Sequence, residues 1–223
     1  MKIKRADQYL CFSPYNSTIH LELDRISQDR IRYIQSHELI KYLVREDKVN
    51  REGKYYLHID QALAENSLGE ITISKDQMIE FYLKLNDFCL SKGAKLLVKL
   101  HPESYKTSWL PDHENILFLR EVDTLNGYIQ NAEGCFGFYS TLVLPAVYWR
   151  PTILFNLTYS GMQSALVQVA NIQVLDFYKF EIDEIHFKSE VSKLVREEIR
   201  EMFLAPKNAT SLSDILDSYA TTN

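Results

Sequence analysis

Residues 74–102 read SKDQMIEFYLKLNDFCLSKGAKLLVKLHP, and this stretch decides the fold. Met78, Phe81, Tyr82, Leu85, Phe88 and Cys89 recur at three and four residues, the spacing of one apolar helix face. Ser74 stands where a helix takes its cap, and Gly93 where a helix closes. The chain then enters Ala94–Leu100, short and apolar enough for a buried strand, and breaks at His101-Pro102. A helix that returns through a tight turn into a buried strand is one step of a parallel α/β sheet.

The alternation continues in both directions. Lys54–Asp60 (KYYLHID) reads as a strand after the turn Asn50–Gly53, and a polar loop, Gln61–Ser74, leads from it to the helix. Downstream, strands are expected at Asn115–Leu119, Gly134–Phe138, Pro151–Asn156 and Asn171–Phe177. Helices are expected at Val122–Ala132 and Ser140–Tyr148, with a final long helix carrying Phe187, Val191, Leu194, Val195, Ile199 and Met202. Parallel strands joined by right-handed crossovers follow from that order. The fold class is thus α/β, a Rossmann-like doubly wound parallel sheet over residues 51–206, with a tail at 207–223. Residues 1–50 fit less well and read as an irregular extension, with a strand at Tyr9–Ser13 and a helix at His37–Arg45 capped by Ser36.

Composition bounds the function. The 223 residues are 46% hydrophobic and 25% charged, with 7 Gly and 6 Pro, as in a folded domain rather than a disordered chain. A net charge of −5 argues against nucleic acid as a partner. Cys11, Cys89 and Cys135 lie far apart with no CxxC pair, so reduced, buried thiols are expected. The start, Met-Lys-Ile-Lys-Arg, lacks the apolar stretch of a signal peptide. No run approaches the ~18 apolar residues of a membrane span. The expected place is the cytoplasm, with a peripheral position at the inner membrane left open.

Chemistry is expected where strands end. Lys99-Leu-His-Pro102 and Gly137-Phe-Tyr-Ser-Thr141 both look like a buried strand breaking into a polar turn. In an open parallel sheet those ends share one edge, so His101 and the hydroxyls of Ser140 and Thr141, 39 and 40 residues further on (140 − 101, 141 − 101), can face one pocket. Pro102 fixes the turn, and an imidazole there can act as an acid near neutral pH. Ser140 and Thr141 opening a helix, with Gly137 allowing close backbone approach, make an anion cradle. Lys99 is a candidate to reach the same phosphate, and Asp60, Gln61 and Glu103 are candidates for the pocket wall. Plainer accounts exist for each: a surface histidine at a turn for His101, ordinary helix capping for Ser140-Thr141, a solvated lysine for Lys99. His58, inside a strand, reads as a satisfied core histidine. His20, His37, His113 and His186 have no metal-ligand spacing, so no metal is expected. GxGxxG, GxxxxGK[ST] and GxSxG are all absent from the sequence.

These motifs together, Lys-Leu-His-Pro, Gly-Phe-Tyr-Ser-Thr and Pro151-Thr-Ile-Leu-Phe155, resemble the C-terminal lobe of bacterial sialyltransferases and polysialyltransferases of the GT-B fold. Tyr55–Leu63 (YYLHIDQAL) looks like the strand and turn that begin that lobe, and the resemblance covers roughly residues 54–180. It implies that His101 acts at the donor phosphate as general acid or stabiliser of the leaving nucleotide, and that Ser140 and Thr141 hold that phosphate. It also implies a CMP-activated sugar, CMP-sialic acid, as donor substrate, a glycan acceptor, and no further cofactor, in bacterial surface polysaccharide synthesis. CDP-glycerol and CDP-ribitol phosphotransferases carry a similar arrangement and supply the alternative enzyme. A non-catalytic nucleotide-binding domain is the alternative of another class. The family's acidic base has no visible counterpart here. One GT-B lobe binds donor and the other acceptor, so transfer is expected to need an N-terminal lobe, a partner chain or a second copy. On that reading Ile31, Ile34, Leu39 and Leu43 are partly exposed in the isolated chain.

Overall fold

The computed structural model describes residues 8–45, 53–66, 72–138, 140–157, 162–170, 172–188, 190–204 and 206–220. In chain order the elements are β1 (Tyr9–Cys11), α1 (Pro14–Glu22), β2 (Ile31–Tyr33), α2 (His37–Ile40), β3 (Tyr55–Ile59), α3 (Lys75–Ser91), β4 (Lys95–Lys99), β5 (Ile116–Leu119), α4 (Leu125–Asn131), β6 (Cys135–Gly137), α5 (Val143–Trp149), β7 (Thr152–Asn156), α6 (Met162–Ala170), β8 (Gln173–Asp176), α7 (Lys193–Ile199) and α8 (Leu212–Ala220). No helix among the described residues is long and apolar enough to cross a membrane. The chain divides into two compact units: residues 45–192, and residues 1–44 together with 193–223.

The larger unit is built on a six-stranded, wholly parallel sheet in the order β5-β4-β3-β6-β7-β8. Its strands are near-continuous apolar runs because helices cover both faces, as parallel sheets require. From β3 the chain steps outward through β4 to β5, then returns to place β6 on the other side of β3 and steps away to β8. Winding therefore reverses between β3 and β6. The register pairs Ile59 with Lys99 and with Gly137, so β3, β4 and β6 end level on one edge. This is the doubly wound, Rossmann-like α/β sheet that the alternation predicts.

Helix α3 packs on this sheet for the reasons its sequence announces. Ser74 accepts from the Gln77 N–H at 3.1 Å while the Gln77 side chain accepts from the Ser74 N–H at 2.8 Å, closing a capping box. Met78, Phe81, Tyr82, Leu85, Phe88 and Cys89 form the buried face. Gly93 ends the helix at φ +63°, a left-handed conformation that a side chain would strain. Phe81 meets Phe155, Phe177 and Phe138 with ring centroids 4.8, 5.1 and 5.3 Å away, at the centre of an aromatic core.

The final helix begins later than its apolar spacing suggests. α7 starts at Lys193 and passes into a π-helical turn at Arg200–Leu204. Phe187 lies outside it, packed on Tyr56 and Phe136 in the aromatic core of the sheet, with centroids 5.1 Å away in both cases. Residues 193–220 group instead with the N-terminal segment. There β1 and β2 pair in parallel, and the tail is stitched beside β2: Thr210 N–H donates to Tyr33 C=O at 3.0 Å, and Gln35 N–H to Thr210 C=O at 3.1 Å. Tyr15 of α1 stacks obliquely on Phe203. Ile31, Ile34 and Leu39, expected to be partly exposed, are buried. Ile31 packs with Cys11 and Ile26 within the N-terminal segment, Leu43 is half-buried as expected, and Ile34 bridges Thr210 in the tail, too far along the chain for local pattern to reveal it. Ser36 caps α2 as read, although regular helix ends at Ile40 and a 3-10 turn follows at Lys41–Leu43.

Candidate functional site

Open α/β sheets bind ligands outside the strand C-termini where the winding reverses. Here that place is flanked by Asp60–Ala62 after β3 and by Phe138–Thr141 after β6, with His101 after β4 on the far side of β3. Neighbouring strands lie about 4.8 Å apart, so the His101 and Ser140 strand ends are about 10 Å from each other with Asp60-Gln61 between them. Tyr139 lies outside the described residues.

Asp60 organises the near side. Its carboxylate is buried, and four donors converge on it. Oδ2 accepts from the Ala62 N–H at 3.2 Å, the His101 N–H at 3.3 Å and the Ser104 hydroxyl at 3.3 Å, while Oδ1 accepts from the Tyr82 hydroxyl at 3.0 Å. Pro102 opens a 3-10 turn, Pro102–Ser104, with His101 as its cap. The His101 Nδ1 accepts from the Glu103 N–H at 3.4 Å, which leaves Nε2 to carry the ring proton in the neutral form. The side chain is 42% exposed, so that N–H is open to a ligand. Glu103 sits with Oε2 3.7 Å from the same Nδ1 and also accepts from Asn66. Glu65 braces the turn from outside, accepting from Thr107 and Trp109 at 3.1 Å each and sharing the single Ser104 hydroxyl proton with Asp60, 3.1 Å from Ser104 Oγ. Tyr82, Glu65 and Ser104 were not legible as site residues; the one available signal was that a carboxylate at a strand end needs donors.

Lys99 is placed otherwise than expected. Its ammonium donates to the Leu100 carbonyl at 2.6 Å and the Tyr105 hydroxyl at 2.8 Å, and lies over the Tyr105 ring. The long side chain is tucked along its own turn, where it holds the loop instead of facing the edge.

On the β6 side, the helix expected to open at Ser140 begins at Val143. Residues 140–142 form a turn in which the Ser140 and Thr141 carbonyls accept from Val143 and Leu144, and no side chain caps the helix. The Val143 and Leu144 N–H groups are thus used within the turn and are not free for an anion. Gly137 has a packing reason: a Cβ there would lie 2.7 Å from Cγ2 of Val143. Thr141 is exposed. Ser140 is the informative residue, because its Oγ is buried and has no hydrogen-bond partner among the described residues. Across the winding reversal, the Gln61 Oε1 is likewise buried and unpartnered. Buried polar atoms are ordinarily paired, so two orphans on the turns after neighbouring strands mark candidate contacts for a polar ligand.

His58, one pleat below Asp60, is fully buried among Phe81, Tyr82 and Phe138, and neither ring nitrogen has a hydrogen-bond partner. It is a core histidine, as read, and the Phe136 backbone beside it is too loosely placed for a good hydrogen bond. Burial pushes its pKa down to about 4 from 6.5, against the opposing pull of Asp60 and of the Phe136 backbone. The unfolded chain takes up this proton near pH 6.5 and the folded chain only near 4, so the stability present above 6.5 is lost as pH falls through that window. Urea unfolding at pH 7 and pH 5 is expected to show a drop about 2 kcal/mol larger for the wild type than for His58→Leu. Equal drops would refute the assignment.

No protein-family model matches this sequence, and no curated protein matches it. Solved structures do. S. aureus MnaA bound to UDP superposes with a TM-score of 0.58 at 11% identity, over 98% of this chain and 61% of that one. UDP-GlcNAc 2-epimerase from Methanocaldococcus jannaschii gives 0.53 at 15%, over 95% and 61%. CalG4, the calicheamicin glycosyltransferase, gives 0.55 at 14%, over 98% and 54%. The chain thus spans less than two thirds of each of these proteins. None of the three is named a sialyltransferase, so that narrower resemblance rests on the sequence motifs alone. At these identities the likeness is one of fold, and the chain has the Rossmann-like α/β fold of a GT-B lobe.

Proposed function

We propose that the sheet unit is the donor-binding lobe of a nucleotide-sugar-dependent glycosyltransferase, with the donor phosphate at the crevice between β3 and β6. The observation that carries this reading is the buried, unpartnered Ser140 Oγ beside the winding reversal. A hydroxyl there can donate to a phosphate oxygen, with Thr141 exposed next to it. The Gln61 carbonyl oxygen, an acceptor, suits a sugar or ribose hydroxyl beside that phosphate. His101 presents an Nε2–H from the adjacent strand end. Cleaving the bond from sugar to phosphate leaves growing negative charge on phosphate. Donors already fixed around it stabilise the transition state more than the ground state. In its imidazolium form, with Glu103 Oε2 3.7 Å from Nδ1, His101 can pass its Nε2 proton to the departing nucleotide and return to the neutral ring. The acceptor comes from beyond this unit, on another lobe, a partner chain or a second copy.

The donor we assign is CMP-sialic acid, on the strength of the motif resemblance. UDP, the nucleotide named with two of the similar structures, supplies the competing case, and CDP that of an alditol phosphotransferase. Calorimetric titration with CMP, UDP and CDP separates them. Ser140→Ala is expected to weaken the preferred nucleotide by about 1–3 kcal/mol, the range for a lost hydrogen bond to a charged group. Equal affinity of wild type and Ser140→Ala would remove the site, and tightest binding of UDP or CDP would replace the donor.

A further inference from the structure

We propose that Asp60 is the positioning residue of this site, one carboxylate setting the His101 turn and the Gln61 turn together; the inference rests on the donor-site reading above. A buried carboxylate is rarely surrounded by donors without reason, and here the four donors come from three separate elements. His101 N–H and Ser104 Oγ belong to the turn after β4, 3.3 Å from Oδ2 in both cases. Ala62 N–H belongs to the turn after β3, 3.2 Å from the same oxygen. Tyr82 rises from α3 to Oδ1 at 3.0 Å and orients the carboxylate from below.

The β3 turn is strained in a way that this arrangement explains. Ala62 stands at φ +51°, left-handed and uncommon for a residue with a Cβ, and it is buried. The hydrogen bond from its N–H to Asp60 holds that conformation. The turn so formed carries Gln61, whose amide oxygen is buried without a partner. On the other side, the same Oδ2 fixes the backbone at His101, from which the ring projects with Nδ1 accepting from Glu103. Asp60 touches no reacting atom in this scheme. It sets the distance between the acid on β4 and the polar amide on β3.

Backbone amide exchange, followed by NMR on the full chain, reads both turns without any ligand. Asp60→Ala is expected to speed exchange at His101 and Ala62 at least tenfold relative to the strand amides of β3 and β4. Asp60→Asn should restore slow exchange at both, because its oxygen can keep facing the three donors while the Tyr82 hydroxyl accepts from its NH2. Leu85→Ala, a core truncation remote from the turns, serves as control: it should lower global stability without singling out His101 and Ala62. Ser104→Ala removes one of the two β4-turn donors to Asp60, together with its contact to Glu65, and leaves the His101 N–H bond. It should therefore speed exchange at His101 less than Asp60→Ala and spare Ala62, which keeps the test open if Asp60→Ala does not fold. Wild-type relative exchange at His101 in both Asp60→Ala and Ser104→Ala would overturn the proposal. Calorimetry with CMP and UDP on the same proteins separates the two readings. A tenfold or greater loss of affinity in Asp60→Ala, rescued in Asp60→Asn, supports both. Fast-exchanging turns in a chain whose wild type binds neither nucleotide keep the positioning role and discard the donor site.

Discussion

His101→Ala is expected to lower turnover by about 10²–10⁴-fold in the assembly that transfers sugar, while nucleotide affinity falls far less. The difference follows from geometry. The imidazole is held at a strand end by its own backbone N–H on Asp60 and by Glu103 N–H on Nδ1, leaving only Nε2–H to meet a ligand. One such contact adds little to ground-state binding, since base, ribose and the Ser140 hydroxyl make separate contributions. In the transition state the phosphate oxygen gains charge, and a fixed proton donor there is worth several kcal/mol. His101→Gln keeps a donor without the capacity to give up a proton, so comparing it with His101→Ala divides hydrogen bonding from proton transfer. Near wild-type turnover in His101→Ala would end the assignment.

The largest stability effect is expected at Phe81. Its ring is 2% exposed and meets five others besides its helix neighbour Tyr82: Phe155, Phe177, His58, Phe138 and Phe180, with centroids 4.8–5.9 Å away. The edge-on contacts with Phe155, at 90°, and His58, at 69°, are geometries that aromatic quadrupoles favour. Phe81→Ala removes the ring from the middle of rigid neighbours that cannot collapse into the space. A loss of about 3–5 kcal/mol is expected, a large share of the roughly 5–15 kcal/mol that holds a domain folded. Phe81→Leu should recover part of it. Urea denaturation that shows a loss below about 1 kcal/mol for Phe81→Ala would mean that the cluster does not carry the core.

Much of the sheet was legible because its signals are local. Buried parallel strands are short apolar runs, and Ala94–Leu100 and Pro151–Asn156 are such runs between a helix and a polar break. Ser74 and Gln77 announce the start of α3 by chemistry alone. The edge shared by His101 and Ser140 followed from parallel winding, and the register confirms it through Ile59. What stayed hidden depends on distance. The bridge between Ile34 and Thr210 joins chain positions 176 apart (210 − 34), through segments too short to show a period. Ser140 misled because serine at the head of an apolar helix reads as a cap; the chain instead spends one more turn before Val143. Lys99 misled because a side chain of that length can lie along its own loop as readily as project from it. The role of Asp60 was invisible for a simpler reason: three of its partners, Tyr82, His101 and Ser104, lie 22, 41 and 44 residues away.

The reversal of winding between β3 and β6 also orders events in time. β3 meets β4 across 40 residues (99 − 59), but meets β6 across 78 (137 − 59). In free energy the longer closure costs only about 0.6 kcal/mol more, since the penalty grows with the logarithm of loop length. In rate the difference is greater, because remote pairings are found slowly. On a chain made from its N-terminus, β3, β4 and β5 can assemble before residues 135–137 exist at all. Half of the crevice, Asp60 with the His101 turn, then waits for Ser140 to arrive. A chain halted before β6 has the strands and the His101 turn of one half, but nothing opposite them with which to close the crevice.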